Sequence, residues 1–168
     1  MQKQFKKKRN KYTTNSTTNN NEKIKPTPGN AYERSTKQNS LNILTTNAAG
    51  LRYKSEDLKN KIKYFKSSLF SVQETHFAKK GKFNMDKYII FEAIRKSKIK
   101  GGSMLGVHVD LKPMLVKEYC DEFELLVVEI NSGDTCIRVM TGYGPQENWE
   151  EAKRTPFFEA LEAEVVSA

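Results

Sequence analysis

Two short apolar runs on either side of an amphipathic helical pattern decide most of what residues 41 to 73 can become. "LNILTT", Leu41 to Thr46, reads as a strand that Asn47 and Gly50 break. Ser55 is placed to cap a helix, with Glu56 and Asp57 in its first turn. Leu58, Ile62, Phe65 and Leu69 recur at helical spacing, and lysines take the other face. "LFSVQ", Leu69 to Gln73, then reads as a second strand. Strand, helix and strand at so short a spacing predict a right-handed crossover, which leaves the two strands parallel and the fold α/β. Their carboxyl ends then share the side on which open α/β sheets bind ligands. Asn47 stands past the end of the first strand and Glu74 at the end of the second.

Further along, "KYIIFEAI" (Lys87 to Ile94) predicts a third strand and "GSMLGVHVD" a fourth. "ELLVVEI" and "TCIRVMTGYG" predict a hairpin turning at Asn131, Ser132, Gly133 and Asp134. Thr155 and Pro156 fit the N-cap and first position of a closing helix whose stripe is Phe158, Leu161 and Val165, with Trp149 packed at its start. "GGSMLG" has the glycine density of a phosphate loop but lacks the following Lys-Ser/Thr and leads into a strand, so it reads as a strand entry. His108 falls within an alternating strand and reads as a packed or edge residue.

Charge is distributed unevenly. Residues 1 to 40 hold ten Lys and Arg against two Glu, with few apolar side chains, which predicts a basic disordered tail ahead of one domain over residues 41 to 168. "FKKKRNK" within that tail has the character of a nuclear-targeting or nucleic-acid-binding patch. Residues 41 to 100 carry 14 basic and 5 acidic side chains, and residues 101 to 168 carry 5 basic and 13 acidic. The basic half reads either as a solvated, lysine-rich helix face or as a surface that meets nucleic-acid phosphate. No apolar run is long enough to span a bilayer, and the polar N-terminus shows no secretory leader. Cys120 and Cys136 have no CxxC spacing, so neither a disulfide framework nor a zinc site is expected, and the expected compartment is intracellular.

A carboxylate at a strand edge stays partly hydrated and suits Mg²⁺, which takes oxygen ligands, uses one or two carboxylates and keeps several waters. By position alone, Glu74 reads equally as such a ligand and as a solvated strand end.

Three stretches in one order decide between these readings. "ILTTNAAGL", "FSVQETHF" and "TGYGPQ" resemble the opening motifs of the endonuclease/exonuclease/phosphatase superfamily, which includes AP endonucleases, exonuclease III and DNase I-like enzymes. The histidine after Gln-Glu-Thr looks most like the endonuclease domains of non-LTR retrotransposons. The resemblance covers about Leu41 to Ala168 and implies the N-terminal part of a four-layer, DNase I-like α+β sandwich. It implies that Glu74 holds the metal, Mg²⁺ with Mn²⁺ as a substitute. Asn47 would hold the phosphate and its catalytic partners, and the Tyr143 hydroxyl would contact the scissile phosphate. His76 and Gln146 are implied as further substrate contacts, and DNA as the partner, with the nucleus as a compartment consistent with it.

Ala49 stands where many members of the superfamily carry Asn or Asp, and Gln146 where they carry Asn. The downstream Asp and Asn pair, the later Asp and the final Asp-His pair have no counterpart after Tyr143, because residues 144 to 168 contain neither aspartate nor histidine. The chain therefore reads as an incomplete domain that needs a missing C-terminal half or a second copy. It is also expected to leave the inner face of its sheet exposed at "LLVV" and "IRVM". Alternative readings are a catalytically dead remnant, a nucleic-acid-binding module, and a phosphatase of the same superfamily.

Overall fold

Parallel pairing of the first two strands organises the molecule. β1 (Ile43–Asn47) and β2 (Leu69–Gln73) run in register from Ile43 opposite Leu69 to Asn47 opposite Gln73, with α1 (Ser55–Tyr64) as the crossover. The computed structural model describes residues 40–94 and 101–168, all in the unit 37–168. The tail expected over residues 1 to 40 lies, apart from Ser40, outside the described residues.

β3 (Tyr88–Ala93) and β4 (Ser103–His108) complete a first sheet of order β1-β2-β4-β3, with β4 antiparallel to both β2 and β3. A 3₁₀ turn at Val109–Leu111 leads to a second, antiparallel sheet of β5 (Met114–Tyr119), β6 (Glu124–Ser132) and β7 (Thr135–Tyr143). Helix α2 (Glu151–Val166) ends the described chain.

Alternation along β2 assigns the layers. Phe70 and Val72 point outward, with Met104 of β4, onto Leu58 and Ile62 of α1. Leu69 points inward with Leu105 and Val107 of β4, against Leu126, Val128 and Ile130 of β6. Each of these side chains is at most 4% exposed, and full burial of an aliphatic or aromatic side chain contributes about 1.5–3 kcal/mol. On the far side, Glu164 of α2 accepts a hydrogen bond from the Tyr119 hydroxyl (2.8 Å) and pairs with Lys117 (3.1 Å). Arg138 donates to the Glu164 carbonyl (3.0 Å) and to the Ser167 hydroxyl (2.8 Å). The order is therefore α1, first sheet, second sheet, α2: a four-layer α+β sandwich.

Several local expectations change. Ser55 is the first helical residue, not the cap, and its hydroxyl bonds the Leu51 carbonyl (3.1 Å). The helix stops at Tyr64, so Phe65 is exposed and Leu69 belongs to β2. Its end is a Schellman motif: the Ser67 N–H donates to the Ile62 carbonyl (3.1 Å) and the Lys66 N–H to the Lys63 carbonyl (3.2 Å), with Lys66 at φ 48°. Helix α2 begins at Glu151, which places Thr155 and Pro156 inside it. Pro156, the sixth residue, removes the bond an N–H there would make to the Ala152 carbonyl, and packing of Phe157 edge-on to Phe123 and the bonds of Glu164 hold the helix across it. The sequence pattern did not mark β5, because its Met114, Leu115 and Val116 are all exposed and a register shift between Leu115 and Lys117 breaks the period of two. The "LLVV" and "IRVM" faces are not bare: Leu125 to Val128 are at most 2% exposed, Leu126 and Val128 pack against the first sheet, and Ile137 and Val139 of β7 are half-buried against the same core.

Candidate active site

Glu74 follows β2 directly, and its segment is clamped on both sides by backbone. The Ala48, Gly50 and Leu51 N–H groups donate to the carbonyls of Gln73 (2.9 Å), Glu74 (2.8 Å) and Thr75 (3.0 Å). From the other side, Thr75 and His76 N–H donate to the carbonyls of Gly102 (3.0 Å) and Gly101 (2.8 Å). Within that clamp Glu74 (φ 53°) and His76 (φ 54°) both take left-handed backbone, which side-chain-bearing residues rarely adopt and which clusters at functional sites. Gly102 is needed here, since a Cβ at that residue would run into the Thr75 hydroxyl.

The other side chains converge on this carboxylate. Asn47 closes β1; its side-chain oxygen accepts from the Ala49 N–H (2.9 Å), an Asx turn that leaves the amide NH₂ for Glu74. Hydrogen bonds from Asn47 first and from the Tyr143 hydroxyl second hold the Glu74 carboxyl below its ordinary pKa, and the nearby His76 adds to this against the opposing effect of burial. His76 Nε2 lies 3.8 Å from Glu74 Oε2, and both side chains are partly exposed. Gln146 Nε2 approaches the Tyr143 hydroxyl at 3.4 Å, the long limit for a hydrogen bond. All five residues singled out in the sequence, Asn47, Glu74, His76, Tyr143 and Gln146, thus sit in one cluster at the carboxyl ends of β1, β2 and β7. His108, read as an edge residue, is at the opposite end of the first sheet, edge-on to Tyr88.

Three further residues build the site and were not foreseen. Ser71 of β2 and Thr141 of β7 share a buried hydroxyl–hydroxyl hydrogen bond between the two sheets, and Gln73 Nε2 donates to Ser71 (2.7 Å). This polar link lies two or three residues behind Glu74 and Tyr143 and sets one against the other. The available signal was parity: Ser71 and Gln73 occupy the inward positions of β2 that begin with Leu69.

A hard, mostly hydrated cation fits this donor set. It offers an ionised, partly exposed carboxylate flanked by neutral amide and hydroxyl groups, and among the described residues no thiolate or imidazole cluster competes. Both cysteines are free, Cys136 exposed and Cys120 half-buried. Among the described residues no helix is long and apolar enough to cross a membrane.

No protein-family model matches the sequence, and no curated protein matches it. Solved structures do. The endonuclease domain of TRAS1, a telomere-specific non-LTR retrotransposon, is 14% identical with a TM-score of 0.53, over 73% of this chain and 52% of that one. The catalytic domain of Xenopus laevis APE2 is 15% identical with a TM-score of 0.58, over 75% and 55%. D. rerio TDP2 complexed with single strand DNA product is 14% identical with a TM-score of 0.56, over 76% and 55%. The chain spans about half the length of the solved structures it matches. Its fold is the one these solved structures share, a DNase I-like α+β sandwich, as the three motifs led one to expect.

Proposed function

We propose that residues 41 to 168 supply the metal- and phosphate-facing half of a phosphodiesterase site that acts on DNA, of retroelement origin. The observation that carries this reading is the convergence of Asn47 and Tyr143 on the ionised Glu74 carboxylate at the carboxyl ends of the strands. Glu74 would hold Mg²⁺, which supplies neutralisation of charge on the phosphate oxygens. Asn47 orients the carboxylate through one amide and keeps it ionised. The Tyr143 hydroxyl, which donates to Glu74 in the free chain and accepts from Gln146 at 3.4 Å, would turn its O–H to a non-bridging phosphate oxygen of a bound substrate, and His76 offers a second donor at the rim. The group that orients or deprotonates the attacking water comes, in this reading, from the remainder of the domain or from a second copy. Such a base contributes about 10² to 10⁴ in rate, so this chain alone should bind without cutting. A DNA substrate would place the work in the nucleus.

The test is nicking of supercoiled plasmid by the purified chain with Mg²⁺, beside a binding assay on the same DNA and Glu74→Gln as the control for contaminating nuclease. Binding without nicking is expected. Nicking that depends on both Mg²⁺ and Glu74 would contradict the half-site, and failure to bind DNA would contradict the substrate.

A further inference from the structure

At the end of the first sheet away from Glu74, the chain builds a second cleft, of about 790 Å³, between the last turn of α1 and the segment that leads into β3. That volume lies in the range of small-molecule sites. Ile62, Met85, Tyr88 and Leu111 give it an apolar lining, and Lys59, Lys63, Lys66 and Lys87 bring four ammonium groups to it. One charge pair in it is already made, Glu56 with Lys59 (2.9 Å), and His108 Nδ1 accepts from the Asp110 N–H (3.4 Å). Among the described residues Lys63, Lys66 and Lys87 make no ion pair, and Asp86 and the exposed Asp110 are the carboxylates left to oppose them.

Two observations separate this cleft from an ordinary lysine-rich surface. Ser67, 3% exposed, lines it and leaves its hydroxyl without a hydrogen-bond partner, although a buried hydroxyl without one is costly. Its carbonyl is occupied by the Tyr88 hydroxyl (2.6 Å), which fixes the aromatic ring in the wall. The second is backbone. Lys66 (φ 48°) and Lys87 (φ 65°) both sit in the left-handed region, and Lys66 holds the C′ position of a Schellman motif, where glycine is the usual residue. Two long cations stand where the backbone favours glycine. Local rules are broken in this way where a side chain is needed for something other than folding.

We propose that this cleft is a phosphate-binding site, separate from the Glu74 site, in which Lys63, Lys66 and Lys87 hold a phosphate group, the Ser67 hydroxyl donates to it, and the apolar wall with Tyr88 receives the organic group attached to it. The ligand class is a nucleotide phosphate, whose two sources are a free mononucleotide and the backbone of a nucleic-acid strand. From Ser67 to Glu74 the chain runs along β2 at about 3.3 Å per residue, so the two sites are on the order of 20 Å apart, and a single strand of several nucleotides would reach from one to the other.

Isothermal titration of the full chain with dAMP, and separately with a 5′-phosphorylated single-stranded decanucleotide, tests the site. Lys66→Gly and Lys87→Gly are suited to it because both relieve the left-handed backbone, so both variants should melt within a few degrees of the unaltered chain. The double variant is expected to weaken binding at least tenfold, with Lys63→Glu weakening it further and Glu74→Gln changing dAMP binding less than twofold. Binding of dAMP identifies a free nucleotide as a sufficient ligand, and binding of the decanucleotide alone identifies the strand backbone. No saturable binding of either, or binding that the double glycine variant leaves unchanged, would overturn the proposal. Loss of dAMP binding in Glu74→Gln would place the nucleotide at the other site and overturn it equally.

Discussion

The hydroxyls of Ser71 and Thr141 meet in the buried space between the two sheets, the one on β2 and the other on β7. Glu74 lies three residues beyond the first and Tyr143 two beyond the second, so this bond sets the spacing of the two groups across the mouth of the sandwich. Apolar packing alone is non-directional and would tolerate a slide of one sheet over the other. A buried hydroxyl pair does not, since separating it leaves polar groups unpaired.

Thr141→Val keeps the shape and removes the partner. It should cost about 1–2 kcal/mol, seen as a lower urea midpoint at unchanged slope. Ser71→Ala in the same background should add less than it costs alone, because the shared bond is already gone. Strict additivity would show that the two hydroxyls do not act as a pair.

The Glu74 carboxyl is held below its ordinary pKa by Asn47 first and Tyr143 second. A carboxylate depressed on folding stabilises the protein above its unfolded pKa, about 4.3, and that contribution is lost as pH falls through the folded value. Asn47→Ala should move the Glu74 midpoint up toward 4.3, and Tyr143→Phe should move it up by less. Carbon NMR of the labelled carboxyl against pH reads both, and a larger shift for Tyr143→Phe would reverse the assignment.

Ala49 occupies left-handed backbone at φ 44° on the exposed clamp beside Asn47. Asparagine tolerates that region better than alanine, and β-branched residues tolerate it worst. Ala49→Asn should raise stability by about 0.5 kcal/mol, and Ala49→Val should lower it. A thermal melt decides; equal destabilisation by both would mean that the clamp, not the dihedral, limits this position.

Much of the fold was legible because periodicity reports burial directly. Leu69 to Gln73 was delimited as a strand to the residue, and the hairpin of β6 and β7 turns at Gly133 and Asp134 as its turn residues require. Cap positions were not legible: Ser55 and Thr155 have the right side chains for N-caps, yet each sits inside its helix and bonds backward to a carbonyl four residues earlier. The strand β5 was invisible because it buries no continuous face. Motif resemblance marked Asn47, Glu74 and Tyr143, but not Ser71 and Thr141, whose meaning depends on a contact seventy residues apart in sequence. The left-handed lysines could not have been read either, since their backbone is set by how α1 ends and how the chain enters β3.

Everything proposed for the Glu74 site turns on whether its carboxylate receives a divalent cation. Mn²⁺ titrated into the ¹⁵N-labelled full chain broadens amide signals near wherever it binds, and excess Mg²⁺ should compete it away. The account predicts saturable broadening confined to residues 47 to 50, 74 to 76 and 143 to 146, weak because one carboxylate leaves most of the coordination shell to water, and absent in Glu74→Gln. Broadening centred elsewhere, or broadening at these residues that survives Glu74→Gln, would contradict it.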